Sequence, residues 1–205
     1  MYSRHYWRGA ILGDAPTIEP QIGLQTGNFN FSVWGASSLN NSYNEVDLIA
    51  SYNVLPSLSI TLYDYYNPVP EGENNYFNFS NKDLRHTLDW VVDFSDEKFP
   101  IELLGSVFLF GDKDSITGKE KYSTYIEPRY RLVLQNKEIR FFAGFTPFAS
   151  YYASKAAFIN VGVSISESFP LSSRFELPLE FSFFTNPTTK GAFFTISAGL
   201  ANRNE

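Results

Sequence analysis

Apolar and polar residues alternate along this chain with a period of two. Between residues 122 and 147, Ile126, Tyr130 and Leu132 fall on one side of an extended chain, and Glu127 and Arg129 fall on the other. Successive side chains of a β-strand point to opposite faces, so this pattern predicts strands. A polar link at residues 135–138 separates two such runs, which predicts a β-hairpin.

The same alternation recurs from end to end and predicts twelve strands. No shift in composition marks a second domain, so residues 1–205 are interpreted as one domain. The predicted strands cover residues 3–12, 17–25, 29–36, 43–54, 58–66, 83–94, 101–112, 122–134, 139–147, 158–166, 175–185 and 192–200. Links after even-numbered strands are mostly short. Those after odd-numbered strands tend to be longer and more polar, with the short first link as an exception.

The choice of charged residue indicates what the polar face meets. All eight lysines lie in predicted links, whereas six of the eight arginines lie at polar positions of strands. The planar arginine fork pairs with carboxylates in a confined space, while lysine prefers full hydration. We therefore predict that the polar face lines a lumen and that the apolar face meets lipid. The predicted lumen residues are Arg4, Arg8, Arg85, Arg129, Arg131 and Arg140, with Glu19, Glu45, Asp47, Asp89, Asp93, Glu102, Glu127, Glu176 and Glu180.

Composition supports the same interpretation. Aromatic residues make up 18% of the chain. Charged residues make up 19%, which is less than the roughly 25% of typical soluble domains. No apolar run approaches the ~18–20 residues of a membrane-spanning helix, and the other structure that satisfies its own backbone in lipid is a β-barrel. Short turns at one end and longer loops at the other are typical of outer-membrane barrels. The sequence predicts an all-β, 12-stranded antiparallel up-and-down transmembrane β-barrel in the bacterial outer membrane.

Several other functions find no support in the residues. The chain has no cysteine and two histidines, and we predict neither a cofactor nor a metal site. A net charge of -6 argues against a nucleic-acid partner. His86 falls on the predicted apolar face, near a membrane interface, and His5 is interpreted in the same way. Outer-membrane phospholipases carry serine two residues after the histidine, where this chain has Leu88, so no enzyme is predicted.

The N-terminal third resembles a known family. Arg8-Gly9 ends the first predicted strand, the second is Pro-rich with Pro16 and Pro20, and Trp34-Gly35 and the Glu45-x-Asp47 motif mark the third and fourth. Over residues 3–68 these motifs resemble the small bacterial outer-membrane porins of the TorF-like group. Later strands match in style, including Asn186-Pro187 before the last. The resemblance implies an outer-membrane barrel with a channel function.

Three functional hypotheses follow. The first is passive diffusion of small polar or charged solutes through a narrow lumen lined by arginine and carboxylate groups. The second is a non-conducting barrel that serves as a structural or accessory subunit beside another envelope protein. Its lumen would be closed by Phe108, Phe110 and the arginine pairs. The third is a soluble barrel that binds an apolar ligand, which requires Phe and Leu inside and charges outside.

Overall fold

A computed structural model describes residues 1–69, 74–79 and 85–202, and this part of the chain is all-β. No helix in these ranges is long and apolar enough to cross a membrane. The strands are β1 (Tyr6–Trp7), β2 (Ala10–Ile11), β3 (Thr17–Ile18), β4 (Gln21–Thr26), β5 (Phe29–Ser38), β6 (Asn44–Leu55), β7 (Leu58–Tyr66), β8 (His86–Asp96), β9 (Phe99–Phe110), β10 (Thr124–Leu134), β11 (Lys137–Thr146), β12 (Ala157–Pro170), β13 (Phe175–Asn186), β14 (Gly191–Ala198) and β15 (Ala201–Asn202).

Strands β3 to β15 form one antiparallel sheet in which each long strand pairs with its neighbour in sequence. β3 and β4 both pair with β5, and the interruption between them falls at Glu19-Pro20. Proline cannot donate a ladder hydrogen bond, which accounts for the break. β14 and β15 likewise both pair with β13. The separate hairpin of β1 and β2 is not part of this sheet.

The predicted strands after the first agree with the structure to within a few residues, and β7 has the predicted bounds. The alternation of short turns and longer links is also present. The short turns are tighter than predicted. For example, Lys137 and Glu138 belong to β11, and only Gln135 and Asn136 connect it to β10. Gln135 adopts a left-handed φ of 58°, which permits this two-residue turn. Of the sixth predicted strand, residues 83–84 lie outside the described ranges.

The prediction of a first strand over residues 3–12 is wrong. The chain bends at residues 3–4 and then forms the β1–β2 hairpin. Tyr2 makes isolated antiparallel bridges to Thr17 on one side and to Ser197 on the other. The Tyr2 N–H donates to the Thr17 carbonyl at 2.8 Å, and the Ser3 N–H donates to the Ile196 carbonyl at 2.7 Å. Residues 1–3 therefore connect the two ends of the sheet order.

The two faces of the sheet differ in exposure. Apolar side chains of the strands are exposed, among them Ile22 at 76% and Phe194 at 55%. Charged side chains of the polar face are covered, among them Asp89 at 0% and Glu102 at 1%. This arrangement is the reverse of a soluble barrel with an apolar interior, so the third hypothesis is wrong about orientation.

Candidate functional site

The β1–β2 hairpin lies against the polar face and touches strands far apart in the sheet order. The Tyr6 hydroxyl donates to Asn160 Oδ1 on β12 at 2.8 Å. The Trp7 ring stacks on Phe108 of β9 with centroids 6.1 Å apart. The Asn186 amide of β13 donates to the Gly9 carbonyl at 3.1 Å. Because one short segment contacts all these strands, the sheet must curl around it.

Arg8 is the most enclosed charge of the hairpin, and it forms the first ion-pair cluster together with Asp89. Its Nη2 donates to Asp89 Oδ2 at 2.7 Å, and its Nη1 donates to the Tyr152 hydroxyl at 2.5 Å. Its guanidinium also lies 4.6 Å from the centroid of the Trp7 ring and 4.9 Å from that of Tyr125, within the range of cation–π contacts. Arg8 lies in the tight turn between β1 and β2 and not in a long strand of the sheet, and its predicted role in a lumen stays a prediction.

A second ion-pair cluster crosses the polar face from β10 to β8. Arg129 Nε donates to Glu127 Oε1 at 2.7 Å, and its Nη1 donates to Asp93 Oδ2 at 3.2 Å. Glu127 also accepts the Asn160 amide at 2.9 Å and the Tyr125 hydroxyl. The carboxylate is therefore held by charged and neutral donors at once, an arrangement that suits a buried charge.

A third cluster lies towards the short turns and centres on Glu102. Arg140 Nε donates to Glu102 Oε2 at 3.0 Å, and Arg131 Nε lies 3.5 Å from Glu102 Oε1. The Ser95 hydroxyl also donates to Glu102 Oε1, at 3.0 Å. Arg131 Nη2 donates in addition to the carbonyl of Asp96 at 2.7 Å. Two guanidinium groups thus share one fully covered carboxylate.

An acidic region occupies the other side of the polar face. His5 Nδ1 lies 2.9 Å from Glu19 Oε1, and its Nε2 lies 3.9 Å from Glu45 Oε2. The Tyr43 hydroxyl donates to Glu45 Oε2. Asp47 follows Glu45 on the same face and is 5% exposed. The interpretation of His5 as an outward residue is therefore wrong, because after the bend at residues 3–4 the chain lies against the polar face and residues of both parities contact it.

The remaining predicted lumen residues are less enclosed. Arg4 is exposed and lies in the bend. Arg85 is half-buried just before β8, and its carbonyl accepts the Asn67 N–H at 3.1 Å. Glu176 and Glu180 are half-buried on β13, where Glu180 accepts the Ser182 hydroxyl at 3.0 Å. These four residues do not join the three clusters.

His86 lies inside a covered cluster, so its predicted exposure is wrong, although the strand register keeps it on the face opposite the cavity. It is 1% exposed, and its ring stacks on Phe79 with centroids 4.3 Å apart. Its Nδ1 lies 2.7 Å from Asp64 Oδ1, and its Nε2 lies 2.6 Å from the Tyr76 carbonyl. Residues 74–79 cover a position that strand alternation places on the apolar face.

A cavity of about 780 Å³ lies between the hairpin and the polar face. Its walls combine charged groups from all sides, including Arg8, Arg129, Glu45 and Asp47, with aromatic rings such as Tyr63. Within the described ranges, no group of three or more His, Cys, Asp or Glu side chains could hold a metal ion. The arrangement can bind or exclude solutes by charge and hydrogen bonding.

Comparison with known proteins adds no relative. No family model, no curated protein and no solved structure matches the chain. The resemblance of residues 3–68 to TorF-like porins stays a prediction.

The strand alternation did not reveal several residues that shape the site. His5, Tyr6 and Trp7 fall within the first predicted strand, and Tyr65 and Tyr152 are not among the predicted lumen residues. The glycine at position 9 is the local sequence feature that favours a turn here. In the structure its φ is +84°, a conformation that a straight strand does not allow. The partners of these residues are distant in sequence, so local patterns do not predict them.

Proposed function

We propose that the chain is a bacterial outer-membrane β-barrel whose narrow lumen admits small polar or charged solutes by passive diffusion. The observation that carries the proposal is the reversed distribution of side chains, with exposed Phe, Leu and Ile outside and covered Arg, Asp and Glu inside. An exposed apolar belt of this extent suits lipid, because in water it would favour association.

Closure of the sheet is part of the proposal. Its support is the double pairing of Tyr2, which bridges Thr17 of β3 and Ser197 near the end of β14. A closed sheet leaves no free edge within the hydrocarbon region, as a membrane barrel requires. We propose that residues 1–3 form the seam and that the β1–β2 hairpin then folds into the lumen.

Conduction is supported by the cavity and by the charged groups around it. Selectivity in such a lumen comes from rings of charged side chains and from the width between them. With nine predicted lumen carboxylates against six arginines, we expect small cations to be favoured over anions. The hairpin and the Glu102 cluster restrict the path, so we expect a small conductance.

The same restriction favours a second candidate, a non-conducting structural barrel. Arg8, Arg129 and Arg131 each connect separate parts of the interior through ion pairs. If these contacts persist in the membrane, the lumen is closed. The protein then acts as a structural subunit, and its outer surface binds another envelope protein.

Single-channel recording in a planar bilayer decides between the two. The folded protein is added to one chamber, and insertion is checked independently by flotation with lipid vesicles. Discrete, reproducible current steps with cation preference are the result expected of a channel. Protein that floats with vesicles but gives no steps would overturn the channel and support the structural barrel. Protein that stays at the bottom of the gradient would overturn both.

A further inference from the structure

Asp47 lies on the polar face between two aromatic residues. On β6 it pairs across the sheet with Trp34 of β5 and with Tyr65 of β7. In an antiparallel sheet, side chains at paired positions lie on the same face, close to one another. Asp47, Trp34 and Tyr65 all line the cavity of about 780 Å³. The carboxylate thus lines this partly open cavity with an aromatic side chain on each side.

The Asp47 carboxylate lacks a partner. Its Oδ1 is buried and has no hydrogen-bond partner within the described ranges. The two arginines that line the same cavity are already engaged, Arg8 with Asp89 at 2.7 Å and Arg129 with Glu127 at 2.7 Å. A buried carboxylate without a donor or a counter-charge is costly. A positively charged hydrogen-bond donor bound beside Asp47 would offset this cost.

The walls indicate which kind of cation fits. Aromatic rings attract organic cations through their electron-rich faces, whereas calcium and magnesium require several oxygen ligands. Besides Trp34 and Tyr65, the rings of Tyr63 and Tyr43 line the cavity. The cavity volume is within the range of roughly 300–1,000 Å³ found for small-molecule sites. A bare metal ion would leave these rings unused.

We propose that Asp47, flanked by Trp34 and Tyr65, is a binding site for a small organic ammonium ion that carries an N–H donor. The ammonium group donates to Asp47, and Glu45, two residues earlier on the same face, adds a second negative charge. The alkyl part of the ligand packs against the aromatic rings. The site goes beyond the proposed function, because binding requires the folded protein but not conduction.

The test uses butylammonium as the probe and the folded full chain in detergent micelles. Binding is followed by ligand-observed NMR titration at constant ionic strength. The variants are Asp47→Asn, which keeps the shape and removes the charge, and the matched control Glu180→Gln, an inward carboxylate on β13. Loss of a charged hydrogen bond weakens binding roughly tenfold or more. We expect that loss for Asp47→Asn and an unchanged affinity for Glu180→Gln.

A second variant tests the site without changing Asp47, so the test does not depend on the folding of Asp47→Asn alone. Trp34→Leu keeps the carboxylate and removes one ring, and we expect binding to weaken about threefold or more. Butanol, which has the same chain and no charge, should not displace the probe. The proposal is overturned if the wild-type protein shows no saturable binding of butylammonium, or if folded Asp47→Asn binds it as the wild type does. The titration does not depend on current flow, so its failure and a failure of channel function are separate results.

Discussion

Arg8 and Asp89 are 81 residues apart in sequence, and their side chains form an ion pair of 2.7 Å that fixes the inner hairpin to β8. Asp89 is fully covered and also accepts the Tyr65 hydroxyl at 3.1 Å. The pair therefore couples the position of the hairpin to the stability of the sheet.

Replacing Arg8 should destabilise the protein strongly. Arg8→Ala leaves the Asp89 carboxylate buried without its counter-charge, and breaking such a pair costs about 3–5 kcal/mol. The measurement is reversible urea unfolding in lipid or micelles. Arg4→Ala is the control, because Arg4 is exposed and its replacement should change the free energy of unfolding by no more than about 0.5 kcal/mol. Equal effects of the two variants would contradict the buried pair.

Removing two arginines should widen the proposed channel. In the double variant Arg129→Ala with Arg131→Ala, the contacts to Asp93, Glu127 and Glu102 are lost. The lumen gains free width and two units of net negative charge, so both conductance and cation preference should rise. The measurements are unitary current and the reversal potential in a salt gradient. Arg174→Ala, in an exposed turn, is the control. If conductance and stability both stay at wild-type values, these arginines do not lie in the lumen.

Local patterns predicted most of the strands because alternation is itself a local property. β7 shows this best, since residues 58–62 alternate strictly and the strand has the predicted bounds of Leu58–Tyr66. The same rule placed Glu127 and Arg129 on the polar face, where they form an ion pair, and Glu102, which pairs with Arg140. Which carboxylate pairs with which arginine depends on the curl of the sheet, and alternation does not contain that information.

The failures of the sequence-based prediction have physical causes. Residues 3–12 alternate as a strand does, yet the bend at residues 3–4 and the turn at Gly9 direct them onto the polar face. His86 was placed on the apolar face, but residues 74–79 cover it through contacts with Tyr76 and Phe79. In both cases contacts between residues distant in sequence determine which side chains are covered, and local alternation does not predict these contacts.

A charge in the middle of the apolar face should block membrane insertion. Phe181 is 45% exposed and pairs across the sheet with Ile165 and Ile196. Arginine at the membrane midplane of a barrel costs about 2–4 kcal/mol, and near an interface about 0–1 kcal/mol. Phe181→Arg should therefore reduce the fraction that folds into vesicles, while Asn136→Arg in a turn should not. Equal folding yields would show that this face does not meet lipid.

Gly9 should tolerate no side chain. A Cβ at this position would lie 1.9 Å from the carbonyl oxygen of Ile159, and the φ of +84° adds backbone strain. We expect Gly9→Ala to displace the hairpin from the polar face and to cost more than 2 kcal/mol of unfolding free energy, of which strain alone accounts for about 1–2 kcal/mol. Gly27→Ala is the matched control, since its φ is +56° and no atom lies within 4 Å of the added Cβ. A similar cost for both variants would mean that the hairpin is not packed against β12.

The link between β9 and β10 should respond to acid. The N–H of Thr117 donates to Asp114 Oδ1 at 2.7 Å, the Thr117 hydroxyl at 2.9 Å and the Ile116 N–H at 3.1 Å. These donors hold the pKa of the Asp114 carboxyl below its ordinary value of 3.8. A lowered pKa in the folded state means that the turn is fully stabilised above pH 3.8 and loses this contribution as pH falls through the folded pKa. The Thr117 amide resonance should therefore shift in that acidic window and stay constant above it. Asp114→Asn should abolish the shift, and a shift that persists in this variant would assign the titration to another group.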